Sequence, residues 1–465
     1  MSYTFNPTIL REYDVRGQIG KNLSEDDAYA LGRAFASFVI KQTPDISDRS
    51  ICVGYDGRHS SPALSQKLIN GIKDSGINVI NVGLGPTPML YFSVKHFNAE
   101  AGVMVTGSHN PPDYNGFKMA LNKSPVFGEH IQEIGRISTS GDLASGNGSV
   151  RETDIKQEYV DRLIKDLELT REMNIAWDAG NGAAGEVLQM LVKQIPGQHH
   201  LIFEDIDGSF PNHHPDPTVD ENLVDLQKLV NEKKCDLGIA FDGDGDRIGV
   251  IDENGNVLRC DILMTIYARE VIRNMPNATI IGDVKCSSVM FDEINNMGGN
   301  AVMWKTGHSL IKDKMRELKA PLAGELSGHI FFADKYYGFD DALYCAVRLL
   351  NELSKADGGL SSLTKHLPVL FNTPELRIEV DEAQKFNLVP RVFESLKAQA
   401  NDDNMKLDDI DGVRVTTPDG WWLLRPSNTQ NVLVARIESD SEQGLVRLKN
   451  MASAEVAKLG YSLSF

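Results

Sequence analysis

The strongest constraint on the fold is a rhythm. Three times in succession, strand-length apolar runs end in Gly-rich polar loops and give way to helix-spaced segments, and near residue 369 the pattern changes. The plainest case is the apolar run 101–105, which breaks into Thr106-Gly107-Ser108-His109-Asn110-Pro111-Pro112. Strands alternating with helices imply α/β units with parallel strands at their centre. In open sheets of that kind, ligands bind beyond the carboxyl ends of the strands. Ser108 is therefore expected where chemistry happens, although a Ser-His pair alone is no more than an ordinary polar turn.

Taken in order, the first unit starts with a helix over 24–40. A strand from Ile51 then runs into a loop at Asp56 and Arg58, and Ser61-Pro62 reads as an N-cap with proline in the first turn. Leu64, Leu68 and Ile72 share one helix face. A strand over 77–82, a further helix and the run 101–105 complete a βαβαβ unit. A Gly/Ser-rich stretch at 138–149 marks its end. The second unit has a strand at 174–178, a helix from Glu221 with Leu223, Leu226 and Val230 inward, and a strand at 237–241. The third has strands at 279–283 and 301–304, helices around Val289 and over 341–353, and the loop Gly324-Glu325-Leu326-Ser327-Gly328-His329 between them. Beyond 369 the strand and helix order, with a helix over 386–400, is that of an α+β domain. The expected architecture is three related α/β domains with mixed sheets, at 1–153, 154–256 and 257–368, plus a smaller α+β domain at 369–465. The loops of the three α/β units are expected to converge on one active-site cleft.

Composition narrows the partners. A formal charge of −18 argues against nucleic acid and acidic membrane surfaces. Five cysteines scattered without CxxC spacing suggest neither a disulfide framework nor a cysteine metal site. No signal-peptide core or membrane-length apolar run is evident, so a cytoplasmic protein is expected, a monomer or else a dimer.

The loop Asp242-Gly243-Asp244-Gly245-Asp246-Arg247 follows a strand and can turn three carboxylates toward one spot. Such crowding is relieved by a cation, and oxygen-only ligands favour magnesium. An EF-hand competes, with Glu253 at its twelfth position, but Arg247 stands where that loop needs glycine and both flanks read as strands. A solvated acidic turn is the plainer alternative. A phosphate ester added to this loop would need neighbouring cations, and Arg16, Lys118, Arg247, Lys285 and Lys305 all lie in loops or strand ends. Arg425-Pro426-Ser427-Asn428-Thr429 is rich in donors suited to a phosphate dianion. Glu325, Ser327 and His329 offer partners for sugar hydroxyls and a proton carrier. His199, His200, His213 and His214 read as solvated loop residues.

With these loops together, the chain resembles the α-D-phosphohexomutase superfamily over essentially its whole length. Four motifs around Ser108, Asp242–Arg247, Glu325–His329 and Arg425–Thr429 occur in the family's order. The resemblance implies a mutase interconverting hexose 1-phosphate and hexose 6-phosphate, of mannose or glucose, through a phosphoserine and a bisphosphorylated sugar. It implies one Mg²⁺ held by Ser108, Asp242, Asp244 and Asp246, with glucose 1,6-bisphosphate or mannose 1,6-bisphosphate as activator. Lys118 and His329 are implied as acid/base groups, with Arg16, His109 and Arg247 beside the phosphoserine. Glu325 and Ser327 would bind sugar hydroxyls, while Arg425, Ser427, Asn428 and Thr429 would grip the other phosphate. Tyr13, Lys285 and His308 would be further contacts. Leu326, where methionine is common, and Glu12 depart from the usual pattern without touching a charge. A phosphoglucosamine mutase and a Mg²⁺-dependent sugar phosphatase are the alternatives, and a non-catalytic phosphosugar sensor is the third.

Overall fold

The computed structural model describes residues 2–122, 124–381, 384–397, 405–428 and 430–465. Thr429 of the last motif lies outside them, as do the residues past Lys397 of the helix expected over 386–400.

Each motif occupies the same topological place. In the first unit Asn78–Leu84, Ser50–Tyr55 and Ala101–Val105 lie parallel, and the chain then returns antiparallel in Tyr114–Leu121, with Met104 opposite Lys118. In the second, Leu237–Phe241 runs parallel to Met173–Asp178, and Ile248–Asp252 returns antiparallel with Ile248 opposite Phe241. In the third, Leu322–Gly324 is parallel to Thr279–Asp283, and Ile330–Phe332 returns with Ile330 opposite Gly324. The fourth unit is antiparallel, and its motif joins Gly420–Pro426 to Val432–Ser439. The first three sheets are mixed and the last domain is the smaller α+β one, as expected. The sequence reads the flank after Arg247 as a strand, and Ile248–Asp252 is one, but it misses Tyr114–Leu121.

Local chemistry accounts for the elements. The runs Ala101–Val105 and Leu237–Phe241 are buried throughout, as central strands covered on both faces must be. Helix Glu25–Gln42 begins with a capping box between Ser24 and Asp27. It packs closely on helix Ser61–Lys73: a Cβ on Gly32 would lie 2.3 Å from the Leu68 carbonyl oxygen, and one on Gly71 2.3 Å from that of Tyr29. The cap of the second helix is Ser60 rather than Ser61, whose hydroxyl instead donates to Asp56 at 2.5 Å.

One continuous apolar core joins the first three units, bringing Leu90 and Phe92 together with Tyr159, Trp177, Phe241 and Leu343. The fourth unit has its own core around Val413, Trp422 and Leu433. It meets the third through a small patch of Val284, Trp421 and Leu423. Two histidines differ from expectation. His199 lies in strand Gly197–Ile202, where its ring accepts from Trp177 Nε1 at 3.1 Å. His213 pairs with the buried Asp178 at 2.9 Å. Polarity alone mistook them for solvated groups because their partners lie more than twenty residues away in sequence. Among the described residues, no helix is long and apolar enough to cross a membrane.

Candidate active site

Ser108 stands at the turn of its hairpin with φ +52°, a left-handed conformation that strains a residue with a side chain. Its backbone N–H donates to Thr106 Oγ1 at 2.8 Å. Its Oγ lies 3.1 Å from His109 Nδ1 and 3.3 Å from Asp242 Oδ2, so the first and second units meet at this hydroxyl. Burial holds the His109 ring well below the ordinary histidine range, with Arg247 and Arg16 adding to the effect. Arg16 donates to Asp14 and reaches the loop through Asn110 Oδ1 at 3.3 Å.

Asp242, Asp244 and Asp246 are wholly buried and present oxygens within 4.8 Å of one another. The loop closes because Asp242 Oδ1 accepts from the N–H groups of Asp246 and Arg247, both at 3.1 Å. Gly245 supplies a φ of +74°. Lys118 Nζ contacts Asp244 Oδ2 at 2.7 Å and Asp246 Oδ2 at 2.5 Å. Burial works against the ammonium, but these carboxylates prevail and hold Lys118 well above its usual value. Asp244 is held low by the same contact against its burial. Burial and the neighbouring Asp246 and Asp244 push Asp242 well up. Asp244 Oδ1 and Asp246 Oδ1 have no hydrogen-bond partner. Buried, unpaired oxygens converging on one point fit a hard divalent cation.

The third unit supplies His329. Arg247 Nε donates to His329 Nε2 at 3.0 Å. A guanidinium only donates, so Nε2 carries the lone pair and the hydrogen of the neutral ring sits on Nδ1. That nitrogen faces Asp340 Oδ2 at 3.0 Å and Asp246 Oδ1 at 3.5 Å. Asp340 is wholly buried and takes Lys312 on its other oxygen at 3.0 Å. Lys312, with the His329 contact, holds Asp340 well below the carboxylate range despite burial. His308 stacks on His329 with centroids 5.4 Å apart. Glu325 accepts from the Gly307 N–H and from Ser327 Oγ at 3.0 Å, which presents the pair as one polar surface.

The fourth unit closes the cleft. Arg425 Nε donates to Asp411 Oδ2 at 2.8 Å, and the same oxygen accepts from the Thr306 N–H at 3.0 Å. Asn428 donates to the Tyr13 hydroxyl, which itself donates to the Thr306 carbonyl at 2.9 Å. The Thr306 peptide thus joins the first, third and fourth units. Ser427 is buried in the same turn, its N–H donating to the Val432 carbonyl at 2.9 Å. Lys285 contacts Glu375 at 3.3 Å and Asp283 at 3.8 Å, both of which keep it charged against burial. Arg58, Asp340 and Asp411 were missed from sequence. Asp56 and Arg58 at a strand end were the one available signal, and Asp340 and Asp411 gave none.

A four-unit chain whose hairpin loops bring a serine, an acidic triplet, a carboxylate-hydroxyl-imidazole set and a buried arginine to one cleft is an α-D-phosphohexomutase by fold and loop order. The chain matches the Phosphoglucomutase/phosphomannomutase alpha/beta/alpha domains I, II and III over residues 7–145, 157–255 and 259–371, and the C-terminal domain over 375–455. It is 43% identical to a Phosphomannomutase/phosphoglucomutase of Pseudomonas syringae pv. tomato, covering 98% of this chain and 96% of that protein. It is 42% identical to a Phosphoglucomutase of Neisseria gonorrhoeae, covering 96% of each. The crystal structure of a Phosphoglucomutase/phosphomannomutase family protein from Burkholderia thailandensis superposes with a TM-score of 0.92 at 40% identity, over 99% of this chain and 100% of that one. The chain therefore belongs to the phosphoglucomutase/phosphomannomutase family and is a hexose phosphate mutase, an isomerase.

Proposed function

We propose that Ser108 is the phosphoryl carrier and that the chain interconverts the 1- and 6-phosphates of mannose or glucose through a bisphosphorylated sugar. The observation that carries this reading is the meeting of Ser108 Oγ with Asp242 at 3.3 Å, beside a triplet that also touches Lys118 and lies 3.5 Å from His329. The triplet and a phosphoserine oxygen would hold one Mg²⁺, which offsets charge on the phosphoryl oxygens when bound.

The chain's own residues do the rest. A free sugar hydroxyl attacks the phosphorus of phosphoserine 108, the new P–O bond forms as the Ser108 Oγ–P bond breaks, and His329 Nε2 accepts the hydroxyl proton once Arg247 Nε turns from it to the transferring phosphoryl group. Arg247 and Arg16 neutralise the transferring group, and Lys118, held as an ammonium, donates toward the serine oxygen as it leaves. The bisphosphate turns over and Ser108 Oγ attacks the second phosphorus, passing its proton back to Lys118; the sugar O–P bond breaks as His329 returns a proton to the sugar oxygen, and the product carries its phosphate on the other carbon. Glu325 and Ser327 read sugar hydroxyls that are presented in both orientations. Arg425, Ser427 and Asn428, with Thr429, grip whichever phosphate is not reacting, and Tyr13, Lys285 and His308 line the same cleft. Glucose 1,6-bisphosphate or mannose 1,6-bisphosphate primes a dephosphorylated serine.

The test is incubation of the protein with mannose 1-phosphate and glucose 1-phosphate, Mg²⁺ and a trace of bisphosphate, followed by product analysis. Ser108→Ala should abolish mutase turnover while hexose phosphate binding persists. Unchanged turnover removes the assignment, and release of inorganic phosphate as the main product favours the phosphatase.

A further inference from the structure

The buried guanidinium behind the nucleophile loop has no part in the chemistry just described. Arg58 is 1% exposed, and one of its nitrogens, Nη1, donates to the carbonyls of Pro111 and Tyr114 at 2.6 and 2.9 Å. The other, Nη2, donates to those of Ser108 and Asn110 at 2.7 and 2.6 Å. Its Nε donates to Asp56 Oδ2 at 3.2 Å. Asp56 in turn accepts from the Thr106 hydroxyl at 2.8 Å and the Gly107 N–H at 3.1 Å. A Cβ on Gly107 would lie 2.5 Å from Arg58 Cζ, so only glycine lets the guanidinium slot behind the turn.

We propose that Arg58, backed by Asp56, is the positioning residue that sets the Ser108 hydroxyl in line for phosphoryl transfer. Two consequences follow from the contacts. Four carbonyl oxygens are drawn to the buried side of the loop, so their negative ends do not face the dianion that Ser108 carries. The strained left-handed conformation of Ser108 is also over-determined, its carbonyl held by Arg58 and its N–H by Thr106, which Asp56 holds. A planar fork with five donors can serve four carbonyls and a carboxylate at once, whereas a lysine has three donors on one atom.

This inference rests on Ser108 being the phosphoryl carrier, and the experiment separates the two. Arg58→Lys keeps the buried charge, and Arg58→Ala opens a space that guanidinium ion can enter. Both are assayed for turnover, for KM, and for the rate at which glucose 1,6-bisphosphate labels Ser108, read by intact mass. Misplacing the serine oxygen by about 1 Å lowers kcat and the labelling rate ~100-fold. KM stays within a few-fold, because the sugar-reading and phosphate-gripping loops lie in other units. Millimolar guanidinium restores labelling in Arg58→Ala and does nothing for Arg58→Lys. If Arg58→Lys labels and turns over like the native protein, or if KM rises as far as kcat falls, the positioning role is wrong. Should Arg58→Ala not fold, the Arg58→Lys labelling rate decides alone. Labelling of Ser108→Ala at the native rate would instead overturn the phosphoserine assignment itself.

Discussion

Replacing Lys118 by methionine separates charge balance from catalysis. The lysine comes from the first unit and its two carboxylates from the second, and all three side chains are at most 5% exposed. Without the ammonium, two buried carboxylates lose their partner, a change that costs ~3–5 kcal/mol when one member of a buried pair is removed. Lys118→Met should therefore be destabilised by that amount in EDTA, measured by urea unfolding followed at a probe in the second unit. Mg²⁺ changes the outcome. Removing one positive charge beside the triplet should tighten its hold on the ion by ~10- to 100-fold, which is ~1.4–2.7 kcal/mol. Since an ion that binds only the folded state stabilises it by mass action, the deficit against the native protein should shrink by that amount in saturating Mg²⁺. If Lys118 is the proton donor proposed above, turnover should stay low in both conditions. An equal deficit with and without Mg²⁺ would refute the claim that lysine and metal share one pair of carboxylates.

Three further outcomes are expected. Asp341, buried and accepting from the hydroxyls of Tyr159 and Tyr336 at 2.8 Å, is pushed up to about 6 by burial. An acid raised on folding binds its proton more tightly in the native state, so its stability term is full below the unfolded value near 4 and is lost as pH rises through 6. Asp341→Asn should thus gain ~1 kcal/mol relative to the native protein between pH 5 and 7.5 in thermal unfolding, and a pH-independent difference would reject the assignment. Tyr13→Phe removes the hydroxyl that joins Thr306 to Asn428; losing ~1–2 kcal/mol should raise KM ~5- to 30-fold with faster amide exchange at 427–428, and unchanged exchange there would deny that this contact holds the fourth unit closed. Arg425→Lys keeps the charge but loses the fork that reaches Asp411 and a phosphate together. KM for hexose phosphate should then rise ~10-fold or more, while equal KM would place the phosphate grip elsewhere.

What the sequence made legible was whatever chemistry is contiguous. Ser108, the acidic triplet, Glu325 with Ser327 and His329, and Arg425 with Ser427 each sit in one short polar stretch after an apolar run, so type and spacing together point to them. Asp340 and Asp411 are single acids whose meaning depends on partners eleven and fourteen residues onward or back, placed by folding against His329 and Arg425. Asp340 is further masked by Asp341, which alone caps the helix Ala342–Ser354. His213 was misread for the same reason: its carboxylate partner, Asp178, belongs to a strand end 35 residues earlier. Local polarity reports that a residue is not core, but it cannot report that a distant charge has come to meet it.

The shared hairpin position explains why four short polar loops can hold so many charges without apolar packing of their own. A loop before a crossover helix is set by pairing on one side only, whereas a loop between a central strand and its antiparallel return is set by register on both. Met104 opposite Lys118 and Phe241 opposite Ile248 lock the two ends of the serine and acidic loops. Register also decides which face each side chain takes, because a slip of one residue reverses the whole strand. Lys118 is not on its loop at all but three residues before the end of its return strand, and it reaches the second unit's carboxylates from there. Removing Asn115 would shift Lys118 to the opposite face and leave Asp244 and Asp246 without it. The place of Lys118 against the acidic triplet is thus specified by strand pairing, on a return strand that the alternation of strands and helices does not announce.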